Sequence, residues 1–225
     1  MSGFGQEQAR RYEAWFDTPF GRRADLAEKR IAAHLLRYFP DARSVLEVGC
    51  GTGHFARWFA GRGLYVAGLD MSAPMLAASN EISPGLEVVR GDAMRLPFAS
   101  GSFDLVAIIT ALEFFERPEV ALAEAARVAR LGLLLGVLNR RSPIALWRRL
   151  RSGSHKGVYG EARFYTRREL ECLVKEVLGA QAGDVLWETG LYPLSWCDNL
   201  NKLPLGAFIG MSVRLNREVN PQAAR

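Results

Sequence analysis

The sequence predicts an α/β fold built on a doubly wound, mostly parallel sheet. Three observations predict it. Short apolar runs alternate with helical patterns through the middle of the chain, as parallel strands with crossover helices require. The runs are almost continuously apolar, the mark of strands covered on both faces. One of them, VLEV at 45–48, leads through three closely spaced glycines straight into a helical pattern.

Each element follows from its own signals. Helical segments at Gln6–Phe16 and Arg23–Tyr38 open the chain; the second carries Leu26, Ile31, Leu35 and Leu36 and stops at Pro40. Strands are predicted at Ser44–Val48, Tyr65–Asp70, Leu86–Arg90, Phe103–Ile109 and Leu131–Asn139. Helices fall between them near His54–Gly61, Ser72–Asn80 and Pro118–Arg130, with Ser72 as a cap and Pro74 in the first turn. Residues 140–165 are longer than an ordinary loop and read as a lid or small cap, with a helix candidate at Pro143–Leu150. TRRE at 166–169 is a capping box opening a helix through Val177. Gln181–Glu188 and Ala207–Leu215 are strand-like and suited to an antiparallel edge hairpin. The expected organisation is an N-terminal helical cap at 1–40, a binding core at 41–139, the insertion at 140–165, the rest of the core at 166–217 and a polar tail at 218–225.

Composition bounds the function. Of 225 residues, 49% are hydrophobic and 24% charged, enough for a sizeable core. The longest apolar run, LGLLLGVL at 131–138, is far short of the roughly 18 residues of a membrane span. The first twenty residues contain no apolar segment of the secretory kind. Cys50, Cys172 and Cys197 form no CxxC pattern, which disfavours a disulfide framework and a zinc ribbon and points to a reducing cytoplasm. The net charge of +5 is uneven: residues 1–139 hold 15 basic against 16 acidic residues, and 140–225 hold 14 against 8. That basic part suits an acidic ligand or nucleic acid, or consists of solvated arginines, since only 4 of the 29 basic residues are lysine.

The chemistry concentrates at predicted strand ends. Gly49, Gly51 and Gly53 permit a tight turn and close ligand approach at the carboxyl end of a strand. The spacing is GxGxG, with His54 where the dinucleotide fingerprint needs a small residue. Glu47 beside the loop would repel a pyrophosphate but suits an ammonium or sulfonium. Asp70, ending the next strand, can accept from both hydroxyls of a ribose. Asp92 follows the third strand, where it can take an adenine amino group while Ala93 N–H reads a ring nitrogen; Met71 and Leu96 are candidate apolar walls. Each acid alone reads as a cap or turn residue. Three at successive strand ends read as a nucleoside site.

Here the sequence resembles the class I S-adenosylmethionine-dependent methyltransferases, and within them the methyltransferase type 11 group. VLEVGCGTGHFA at 45–56 is similar to the first motif, GLDMS at 68–72 to the ribose motif, GDAMRLPF at 91–98 to the adenine motif, and FDLVAIITALEFFERPEVALAEAARV at 103–128 to the fourth strand and its helix. The resemblance implies a seven-stranded Rossmann-like sheet with an antiparallel final strand. It implies S-adenosyl-L-methionine as cofactor, with S-adenosyl-L-homocysteine as product. The implied binding set is Glu47, Gly49, Cys50, Gly51, Gly53, His54, Phe55, Asp70, Met71, Met75, Gly91, Asp92, Ala93, Met94 and Thr110. YEAWFDTPFGRRADLAEK at 12–29 is similar to the opening helix of some members, which would bring Tyr12, Phe16 and Gly21 near the methionine end.

Methyl transfer from a sulfonium needs alignment and exclusion of water more than a fixed catalytic group. A protonated nucleophile needs a base. Glu113 in TALEFFERP is the first candidate, as base or cation site, with a surface carboxylate starting a helix as the alternative; His155 and Tyr159 are further candidates. Trp147, Arg163 and Tyr165 are candidate acceptor-binding residues, the arginine suiting an acidic small molecule. No paired ligand spacing supports a metal. The NPP(Y/F/W) tetrapeptide of base-methylating enzymes and a Pro-Cys nucleophile are both missing, so nucleic acid is the lesser expectation. The expected function is methyl transfer to a small-molecule acceptor; the alternatives are RNA modification and a non-catalytic binding subunit. The acceptor and the oligomeric state are left open.

Overall fold

The computed structural model describes residues 5–143, 162–192 and 203–216. The helix candidate at Pro143–Leu150, with Trp147, His155 and Tyr159, falls almost wholly outside them. The chain opens with α1 (Gln6–Phe16) and α2 (Pro19–Leu36). Strand β1 (Ser44–Val48), helix α3 (His54–Ala60), β2 (Tyr65–Asp70), α4 (Ala73–Ile82), β3 (Glu87–Arg90) and β4 (Phe103–Ile109) follow. A 3-10 turn at Leu112–Phe114 leads to α5 (Pro118–Val128), β5 (Ala129–Leu138), α6 (Arg167–Leu178), β6 (Ala182–Gly190) and β7 (Phe208–Leu215).

The seven strands form one sheet in the order β3-β2-β1-β4-β5-β7-β6. Strands β1 to β5 pair in parallel, and β7 lies antiparallel between β5 and β6. The late hairpin is therefore inserted with its second strand inward, and β6 is the edge. Strand order reverses between β1 and β4, so a crevice opens at their carboxyl ends, where such sheets bind ligands.

Alternation along the strands divides the core. Leu46, Val48, Val106, Ile108, Leu133 and Leu135 face α5 and α6, joined by Leu122, Leu170 and Val174. Val45, Leu105, Ala107, Ile109 and Leu134 face α2 and α3, meeting Ile31, Leu35, Phe55 and Phe59. Glu47 occupies a position on this second face where the pattern calls for an apolar residue.

Element boundaries differ from expectation by up to four residues, most at the start of α2. Helix α2 begins at Pro19, not Arg23, because Thr18 caps it: its Oγ1 accepts the Gly21 N–H at 3.0 Å. Helix α2 also ends at Leu36, two residues early. Helix α5 stops at Val128 and the chain passes directly into β5, where Ala129 pairs with Phe103.

Candidate active site

The carboxyl ends of β3, β2, β1 and β4 lie side by side, and each carries a sequence-predicted residue. The β1 loop turns through Gly49 (φ +75°), Gly51 (φ +54°) and Gly53 (φ +80°). A Cβ on Gly49 would stand 2.4 Å from the Ala111 Cβ, whereas one on Gly51 would meet nothing within 4 Å. Gly49 is thus fixed by packing and Gly51 faces open space, a cradle a ligand can fill. Cys50 is buried with its sulfur against Gly68, and burial drives its thiol pKa upward, so it packs the loop rather than reacting.

Asp70 organises the second strand end. One oxygen accepts the Gly51 N–H and the other the Ser72 N–H, both at 2.8 Å. Burial raises its pKa against these bonds. The Met71 N–H also bonds to it, and since a carboxylate has about four acceptor sites, capacity remains for a ribose hydroxyl. Met71 is 50% exposed beside it, while Met75 is buried in α4. At the third strand end Gly91 N–H donates to Asp70 O at 3.0 Å. Asp92 is exposed, and its Oδ1 accepts from Met94 N at 2.9 Å. Ala93 is buried and Met94 half-buried beneath it. Thr110 ends β4 at φ +50°, a strained conformation for a β-branched residue, with its N–H on Gly136 O at 2.8 Å.

Glu47 lies beneath the loop. Its Oε2 is buried without a partner, and burial, opposed by the Ala56 N–H, pushes its pKa up to about 8. A buried acid with an orphaned oxygen fits a neighbouring cation. The open face of Gly51, the spare acceptor capacity of Asp70 and this oxygen together fit S-adenosylmethionine.

Helix α1 fastens onto the loop. The Thr52 hydroxyl donates to the Glu13 carboxylate, and Arg57 reaches both Thr52 O (2.7 Å) and Glu13 (3.2 Å). Phe16 stacks on His54 at 3.7 Å, and Tyr12 meets Phe16 edge-on at 5.2 Å. His54 turns toward helix α2. Its Nε2 lies 2.7 Å from Asp25 Oδ1 and 3.0 Å from Lys29 Nζ. Burial raises the Asp25 pKa, but the bonds from His54 and Lys29 outweigh it and hold it below the ordinary range. Gly21 lies in the first turn of α2, where a Cβ would strike the Trp15 carbonyl, and Phe55 is in the core with Phe59. A cleft of about 590 Å³ lined by Glu13, Phe16, Lys29, His54, Arg57 and Trp58 runs along this latch. Among its described lining residues none comes from the ends of β2, β3 or β4.

Glu113 is not a surface carboxylate. It is 2% exposed in the 3-10 turn, and Oε1 accepts Leu138 N at 2.6 Å while Oε2 has no partner. Burial, against the Leu138 bond, pushes its pKa up to about 7. Arg163 N–H donates to Glu113 O at 2.9 Å, and the Arg163 guanidinium stands 5.4 Å from the Tyr165 ring. Tyr165 is 1% exposed, packed in the core with an unpartnered hydroxyl. Among the described residues no group of three or more His, Cys, Asp or Glu could hold a metal.

Sequence reasoning passed over Glu28, buried on α2, and Asn139, whose Nδ2 donates to Pro204 O (3.0 Å) and Gly206 O (2.7 Å). The signal for Glu28 was its place one turn before Ile31 on the apolar face.

This fold and these strand ends define a doubly wound α/β protein with a polar crevice at its switch point. The chain belongs to the S-adenosylmethionine-dependent methyltransferases of the type 11 group. A family model described as "Methyltransferase domain" matches residues 46–135. An uncharacterized protein of Methanocaldococcus jannaschii is 30% identical over 171 residues, 75% of this chain and 77% of that one. A demethylmenaquinone methyltransferase of Beutenbergia cavernae is 35% identical over 143 residues, 64% of this chain and 59% of the relative. A solved Thermotoga maritima structure, described as a SAM-dependent methyltransferase and possible histamine N-methyltransferase, aligns with TM-score 0.74 and 27% identity. It covers 93% of this chain and 96% of that one.

Proposed function

We propose that the protein transfers a methyl group from S-adenosylmethionine to a small-molecule acceptor by in-line displacement. The observation that carries this reading is the row of strand ends: Gly51 open, Asp70 with spare acceptor capacity, Asp92 exposed and Glu47 orphaned beneath. When bound, the cofactor supplies a methyl carbon activated by the adjacent sulfonium. Asp70 grips the ribose, Asp92 and Ala93 read the adenine, and Glu47 offsets the positive charge. The Glu13–Thr52–Arg57 latch holds α1 on the glycine loop and keeps water from that side.

Relatives named for a quinone and for an amine support a small-molecule acceptor, but such different names do not fix the nucleophile. Calorimetric titration with S-adenosylhomocysteine tests the reading. We expect one saturable site, weakened by about 1–3 kcal/mol in Asp70→Ala. Folded protein without saturable binding would overturn it.

A further inference from the structure

Beyond β4 a second polar group of atoms lacks partners. The chain leaves β4 through the strained Thr110, and the 3-10 turn brings Glu113 to Leu138 at the end of β5. One Glu113 oxygen takes that N–H; the other is buried and unpaired. Glu28 approaches from α2, 6% exposed, near enough for the charge on Glu113 to act on it. Lys29 pairs with Asp25 at 2.8 Å, His54 lies 2.7 Å from the same carboxylate, and the Arg163 guanidinium stands 5.4 Å from the Tyr165 ring. A third group is the Tyr165 hydroxyl, buried, unpartnered and within the fields of Arg163 and Glu113.

Among the described residues neither acid forms an ion pair, and two buried acids are costly unless they hold a proton or a positive ligand. An anionic acceptor would be repelled here, whereas an ammonium offers three donors to surrounding acceptors. We propose that Glu28 and Glu113 recognise a basic amine as the methyl acceptor, and that Glu113 takes its proton. This rests on the methyl-transfer reading and names its substrate class. The amine arrives as an ammonium and gives one proton to the free oxygen of Glu113. The released nitrogen lone pair forms the N–CH3 bond as the S–CH3 bond breaks, its electron pair remaining on sulfur. The product leaves as a methylated ammonium, and Glu113 returns the proton to solvent. Burial raises Glu28 to about 8 and Glu113 to about 7, so the pair changes protonation near neutrality. Asp25 and Lys29 on α2, with Tyr165 beyond the turn, share its field.

The test is calorimetry on the full chain saturated with S-adenosylhomocysteine, using phenethylamine and methylamine against 3-phenylpropionate, an anion matched in size to phenethylamine. We expect saturable amine binding and none of the carboxylate. Glu28→Gln and Glu113→Gln should each weaken the amine at least tenfold, with S-adenosylhomocysteine affinity unchanged. Glutamine at 113 can still accept from Leu138, so the turn is preserved. Equal binding of the carboxylate, amine affinity within twofold in both variants, or no saturation by either amine overturns the proposal. Those outcomes leave cofactor binding intact and spare the methyl-transfer reading; failure of the wild type to bind S-adenosylhomocysteine removes both.

Discussion

Within the glycine loop, neighbouring residues of one type do different work, and substitution separates them. Gly49 carries a left-handed backbone and a 2.4 Å approach to the Ala111 Cβ, so Gly49→Ala combines backbone strain with overpacking. A loss of about 2–4 kcal/mol is expected, read from the urea midpoint. Gly51 has the same backbone sign and empty space where its Cβ would go. Gly51→Ala should cost only about 1–2 kcal/mol of stability yet weaken S-adenosylhomocysteine at least tenfold, about 1.4 kcal/mol, because the methyl projects into the cradle. Equal stability losses, or unchanged affinity in Gly51→Ala, would show that the open face of Gly51 is not where the ligand lies. The sequence displayed both glycines in one motif but not this division, which depends on Ala111 arriving from beyond β4.

Among the elements, α1 is fastened to the loop by Glu13 with Thr52 and Arg57 and by Phe16 on His54, while Trp15 packs on the other side against Ala24, Ala27 and Leu191. Glu13→Ala removes a hydrogen bond to a charged group and an ion pair, about 1–2 kcal/mol of local attachment. Amide exchange in α1 should then quicken roughly tenfold, with several-fold faster S-adenosylhomocysteine release and no change in the core of α2. Unaltered exchange would mean that stacking and the apolar packing of Trp15 hold the helix without the latch. The sheet elements were legible because most strands are compact apolar runs, and β1, β2 and β3 are closed by glycine or acid. The start of α2 was not, since Thr18-Pro19 precedes residues without helical apolar spacing and the cap alone marks the boundary. Glu113 was legible as a candidate but not as a buried one. Its burial depends on Leu138, 25 residues later, closing over it at the end of β5. Glu28 escaped notice for a related reason: one acid on a helix reads as solvated until the sheet beneath the helix is known.

For the molecule as a whole, function imposes a cost that pH exposes. Three buried carboxyls, Glu28, Glu47 and Glu113, have folded-state pKa values pushed up to about 8, 8 and 7 by burial. Unfolded, each titrates near the ordinary 4.5. Between those values the folded state binds more protons than the unfolded state, so stability falls as pH rises, by at most about 1.4 kcal/mol per pH unit for each group. Asp25, Asp104, Glu124 and Glu169 are held low by hydrogen bonds and cations, and their contribution is lost below about pH 4. The urea midpoint should therefore peak near pH 5 and decline toward pH 8. Glu47→Gln should raise the midpoint at pH 8 clearly more than at pH 5, because it removes a charge that only the higher pH demands. The same substitution should weaken S-adenosylmethionine more than S-adenosylhomocysteine, since only the former carries the sulfonium. A flat midpoint from pH 5 to 8 would mean that these carboxyls are solvated. A Glu47→Gln protein with unaltered preference between the two ligands would remove the buried carboxylate from charge recognition.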